Sequence, residues 1–236
     1  MDKTIKKALA DIYHAPEPVR KKAFLKKYRR RELGRRELLL AQAGYIRRWV
    51  WAASALLFGG VLWLASWQES KTVWAAAALT PFLALLMVVE NGKSRFYGME
   101  ELELSCRMSL RTVALARMLI LGVSHFFLLG LLIPVTAAWG AVGLFQAGLY
   151  LLTPYLLTAA LGMELTRHIR GREGIPACAA ASALVSAFGV LAGTGLMELY
   201  LRSALPWWSG ALAVSLAALA MELHIELKRT EGSQWN

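Results

Sequence analysis

Apolar residues in this chain gather into six long runs parted by short polar breaks, and within the runs they do not alternate with polar ones. The runs are Trp49 to Trp67, Val73 to Val89, a third that starts within Ser109 to Arg117 and ends at Trp139, Leu144 to Leu165, Pro176 to Leu196, and Ser209 to Ile225. Stretches of this length and composition cross a hydrocarbon core as helices, which satisfy their backbone polar groups internally. Trp49, Trp51, Trp63 and Trp67 mark both ends of the first run, as interfacial aromatics do. Pro81, Pro134 and Pro154 fall inside runs, where a membrane helix tolerates them. The fifth run is largely Ala, Gly and Ser, which lets neighbouring helices approach closely. Gln68 to Thr72 and Gly140 to Gly143 read as turns, and the longest outer break, Glu198 to Trp208, has room for a short interfacial helix. The pattern predicts an all-α, polytopic membrane protein of six transmembrane helices.

The first 48 residues follow another pattern. Residues 2 to 14 set Ile5, Ala8, Leu9 and Ile12 at helical spacing among Lys3, Lys6 and Lys7, which predicts a short amphipathic helix. His14-Ala15-Pro16-Glu17-Pro18 ends it as a hinge, because two prolines so close cannot continue a helix. A second, strongly basic helix is predicted from Val19 to about Leu40, with Phe24, Leu25, Tyr28 and Leu33 among its charges. It suits an anionic lipid leaflet, each basic residue adding about 1 kcal/mol near the surface, and an acidic protein partner competes for the same face. The segment holds no signal-peptide core, so the N-terminus is expected to stay in the cytoplasm.

Composition agrees: 57% of the 236 residues are hydrophobic and 18% charged, too apolar for a soluble domain of this size. A net charge of +11 raises the question of nucleic acid, and its distribution answers it. With six spans, 24 of the 27 Lys and Arg fall in the head, the loops of one side and the tail, against Lys71 and Arg202 on the other side. That is the signature of membrane orientation, and it puts both termini in the cytoplasm of a plasma-membrane protein that binds no nucleic acid. The division is 1–48, a basic amphipathic region; 49–227, six spans with a polar helix near 98–108; and 228–236, a cytoplasmic tail. Cys106 and Cys178 are expected to be reduced thiols.

Little in the sequence speaks of catalysis. A GxxxxGK[ST] loop, an HExxH motif and paired cysteines are all missing, and the serines and histidines form no nucleophile elbow. The EExxxR motif of membrane-embedded CAAX-type proteases needs arginine where this chain has Ser105. The chain is therefore expected to be no enzyme and to hold no metal. Polar residues inside the runs are the remaining candidates. His125 and Gln146 lie within the third and fourth runs, where a polar side chain is expensive and is read as lining a pathway. Glu164, Glu198, Glu222 and His224 lie near ends and read as solvated, and Arg117 as snorkelling toward headgroups.

The stretch Gly98 to Arg117, GMEELELSCRMSLRTVALAR, is the long polar interruption that still reads as helix. Glu100, Glu101 and Glu103 stand at its start, favoured by the helix macrodipole, and Glu103, Arg107 and Arg111 follow at spacings of four. Leu102 and Cys106 recur on the other face, and Ser109 is placed to cap a helix beginning at Leu110. In its glycine, acidic-leucine helix, serine turn and following basic residue, this stretch resembles the cytoplasmic loop between the second and third spans of permease subunits of ABC exporters of the six-helix export class. The family usually has a proline in the turn, and Cys106 to Met108 has none. The resemblance implies a permease that couples a separate ATP-binding cassette subunit, carrying ATP and Mg, to export of a peptide, lipid or drug-like molecule. It further implies a second permease subunit in a homo- or heterodimer. Gly98, Glu100, Glu101, Leu102, Glu103, Arg107 and Ser109 would form the coupling helix on which the ATPase docks. The alternative is a membrane-anchored signalling or immunity protein whose basic head binds a cytoplasmic regulator.

Overall fold

Six apolar runs demand six helices if no backbone group is to be left unpaired, and helices stand at all six. The computed structural model describes residues 35–67, 72–97, 110–169, 171–194, 200 and 202–232, and the regular elements among them are helical. They are α1 (Arg35–Tyr45), α2 (Arg48–Trp67), α3 (Thr72–Asn91), the single turn α4 (Lys93–Phe96), α5 (Leu110–Trp139), α6 (Leu144–His168), α7 (Gly174–Thr194) and α8 (Leu205–Gly232), with a 3₁₀ turn at Arg202–Ala204 before α8. Five stretches are long and apolar enough to cross a membrane: Val73–Asn91, Leu115–Trp139, Leu144–His168, Gly174–Gly193 and Leu205–Ile225. Arg48–Trp63 is a shorter apolar helical stretch within α2. The chain is a helical, multi-pass membrane protein. Its contacts divide it into Met1–Arg35 and Arg36–Asn236, and the packing described below belongs to the second. The amphipathic helix expected at residues 2 to 14 lies outside the described residues, as does the hinge after it. Of the basic helix expected to end near Leu40, the described part runs on to Tyr45.

α3 and α6 form the centre. α3 packs on α2, α5, α6 and α7, while α6 packs on α3, α5, α7 and α8. Burial inside the protein follows: 61% of the span in α3 and 56% in α6, against 11% in α8, so the outer helices turn most of their surface toward lipid. Small residues bring the central helices close. A Cβ at Gly162 of α6 would stand 2.8 Å from a methyl of Val88 on α3, and one at Gly193 of α7 would stand 2.6 Å from the Trp74 ring. The main core, including Leu83, Ala84, Leu121, Leu151 and Ala159, fills the space between these helices.

Pro81 sits inside α3 without breaking it. Its missing N–H would have bonded the carbonyl of Ala77. The Thr80 hydroxyl donates to that same oxygen at 2.9 Å, which replaces the lost bond from within the helix.

Candidate functional site

His125 is buried where four helices meet. Its Nε2 lies 3.4 Å from Ser54 Oγ of α2 and its Nδ1 3.2 Å from the Tyr155 hydroxyl of α6. That hydroxyl donates in turn to Met87 Sδ of α3, at 3.7 Å. Each ring nitrogen of His125 faces one hydroxyl, and the tautomer sets which partner donates. His125 thus closes a transverse line of three polar contacts, from α2 through α5 and α6 to α3. Ser54 is six residues into α2 and Met87 four residues from the end of α3, so the line lies about 6–9 Å inside the helix ends that bear Arg48 and Asn91.

Gln146 belongs to a second cluster near the opposite end. Its Nε2 donates to the Tyr150 hydroxyl at 2.9 Å and to the Tyr200 carbonyl at 3.2 Å, and Tyr150 donates to the same carbonyl at 2.9 Å. The rings of Tyr150, Tyr200 and Trp208 pack with centroids 5.0 to 5.5 Å apart. Burial, and then the neighbouring Tyr150, push the Tyr200 phenol up to about 12, so it stays a neutral donor, here to the Gly189 carbonyl. On α6, Gln146 and Tyr155 are nine residues apart, about 13 Å along the axis. The two sequence candidates therefore stand in separate clusters at different depths.

Charged side chains at the Arg48 end are more deeply held than their positions suggested. Arg117, expected to snorkel, is 6% exposed; its Nε donates to Gln42 Oε1 at 3.3 Å and its guanidinium lies 5.5 Å from the Tyr45 ring centre. Instead of reaching for headgroups it ties α1 to α5. Glu222, expected to be solvated, is 4% exposed and pairs with Arg167 of α6 at 3.4 Å. Arg167 also bonds Glu164 one turn back, and His168 Nδ1 lies 3.2 Å from that carboxylate. Arg167 stands in the last turn of α6, where the helix dipole favours a cation. His224 is exposed, as expected, and Glu198 lies outside the described residues.

Phe96 completes this end, and sequence reasoning passed over it. Its side chain, 2% exposed, is lodged between Gly92 and Gly174, where Cβ atoms would come within 2.9 Å and 2.4 Å of the ring. The next residue, Tyr97, lies under the Arg172 guanidinium at 5.8 Å. The signal was an aromatic pair directly after the second run, with glycines on both elements it joins.

Gly98, Glu100, Glu101, Leu102, Glu103, Arg107 and Ser109 all lie outside the described residues. What is described is the chain on either side: Phe96 fixed against the start of α7, and α5, described from Leu110 and continuing unbroken to Trp139. Cys178 is a buried free thiol, and Cys106 falls in the undescribed stretch. Among the described residues no three His, Cys, Asp or Glu side chains gather as a metal site. No family model, curated protein or solved structure matches the chain.

Proposed function

We propose that this chain is the permease subunit of an ATP-driven exporter, with six spans in the plasma membrane and both termini in the cytoplasm. A separate ATP-binding subunit docks on the Gly98 to Ser109 segment and a second permease completes the path. The observation that carries the reading is the mounting of that segment. It leaves a plug at Phe96, seated against α7, and re-enters α5, a helix of 30 residues and so about 45 Å long. A load applied between such mounts reaches two spans as rigid-body movement, which a slack loop would not transmit. Arg117 joins α1 to the same helix, so movement of α1 reaches α5 as well.

The test is co-purification of the full chain from mild detergent with its chromosomal neighbours co-expressed. An ATPase that stays bound, and is released when Glu100 and Glu101 become Lys, supports the reading. Phe96→Ala should leave that ATPase bound and lower ATP-dependent transport, because it loosens the mount without touching the dock. A non-ATPase regulator held by residues 1–40 as the sole partner would replace the reading with the signalling alternative.

A further inference from the structure

α7 and α8 both pack on α6 but do not pack extensively on each other. The opening between them leads to a cavity of about 220 Å³. Thr153 and Leu157 of α6 form its back, Phe188 of α7 and Trp208 and Ala211 of α8 its sides, and Trp207, 81% exposed, stands in its wall. Among the described residues no charged one lines it. The lining hydroxyls are committed: Thr153 donates to the Leu149 carbonyl at 2.7 Å and Tyr200 to the Gly189 carbonyl at 3.4 Å.

These features select the occupant. A peptide would bring a backbone N–H and C=O at every residue against a lining whose polar groups are two committed hydroxyls and two indoles, and buried unpaired polar groups are costly. A drug-like molecule would bring polar atoms to the same lining, at the same cost. A hydrocarbon chain needs no polar partner, and an apolar cavity of this kind excludes water. The surface around the opening continues the lining: Leu184 and Leu191 of α7 and Val214 of α8 are each at least 65% exposed on helices that cross the membrane. Trp207 stands at the start of the α8 span, the depth at which tryptophan meets headgroups.

We propose that the cavity between α7 and α8 holds part of one acyl chain of a membrane lipid, which enters sideways from the leaflet at the Trp207 end. The site rests on the membrane placement of these helices and not on ATP-driven transport; where the transport reading holds, it selects lipid over peptide and drug-like cargo.

The test uses the full chain in detergent micelles with trace phosphatidylcholine bearing a diazirine midway along one acyl chain, photolysed and mapped by mass spectrometry. Labelling at Leu157, Phe188 and Ala211 should saturate with added probe and exceed, by about tenfold or more, that at Phe126 and Phe127 on the lipid face of α5. Ala211→Phe should abolish the excess, and Leu119→Phe, on the exposed face of α5, should leave it. Should Ala211→Phe aggregate, Leu157→Trp fills the cavity from the back with the same expected loss. Labelling that rises without saturating, matches Phe126 and Phe127, or survives a folded filling variant overturns the proposal. No ATP or partner enters, so failure to find an ATPase would sink the transport reading and leave this result standing.

Discussion

Replacing Gly162 with alanine tests the central contact of the bundle. The added Cβ would lie 2.8 Å and 2.9 Å from the two methyls of Val88, against a comfortable separation of about 3.5–4.0 Å. Either α3 and α6 part by about 1 Å or Val88 leaves its rotamer. Val88 is 3% exposed, and a β-branched side chain in a helix has one strongly preferred χ1, so escape by rotation is closed. Overpacking of this kind costs about 1–3 kcal/mol, and because α3 and α6 make the largest helix contact, the expected loss is about 2–3 kcal/mol. That is roughly 30-fold or more in the folded-to-unfolded ratio. Gly130→Ala in α5 is the control: no atom lies within 4 Å of its Cβ, and removing glycine from a helix is worth up to about 1 kcal/mol in the other direction. Reversible unfolding in bicelles, read by steric trapping, compares the two. Val88→Ala should restore much of the stability lost by Gly162→Ala. Equal stability of the two glycine variants would refute the argument that backbone proximity holds the centre together.

Three further perturbations probe the polar groups. His125→Leu should cost only about 1 kcal/mol, since Ser54 can turn to a carbonyl one turn back and Tyr155 keeps Met87; a transport loss far beyond that stability loss would identify His125 as part of a pathway rather than a cross-helix pin. Arg167→Leu should cost about 3 kcal/mol by stripping a cation from buried Glu222, and adding Glu222→Gln should recover part of it, as a double-mutant cycle would measure. Arg117→Met should loosen α1 from α5, seen as faster tryptic cleavage at Arg47 and Arg48 with unfolding of the bundle unchanged; unaltered cleavage would mean that Arg117 does not hold α1.

Helix positions were legible because the bilayer fixes both length and composition. Trp139 ends α5 where the apolar run puts its limit, and α6 starts at Leu144 as expected. The site was legible only in part. His125 and Gln146 stand out as polar residues in apolar runs, but their partners Ser54, Tyr155 and Tyr200 come from other elements, and a linear pattern does not say which helices adjoin. Arg117 and Glu222 show the same limit at the membrane surface. Position along a span gives depth, and at a given depth a charge facing lipid and a charge facing another helix look alike in sequence. Phe96 escaped notice because its meaning depends on Gly174, three elements further along the chain.

The placement of α3 at the centre has a consequence for synthesis. Its partner on α6 emerges much later: Met87 and the Tyr155 that bonds it are 68 residues apart, about 3–14 s of translation at ordinary rates. Through that interval the second span must reside in lipid without the helix that will bury it. It is equipped to wait. Thr80 spends its proton on the Ala77 carbonyl within its own helix, covering the gap left by Pro81, and Glu90 finds Lys93 one turn ahead at 3.4 Å. The residues that need a distant partner, Val88 and Met87, are apolar and sit in hydrocarbon at no cost. The helix that becomes most buried is thus one that can be released first and completed last.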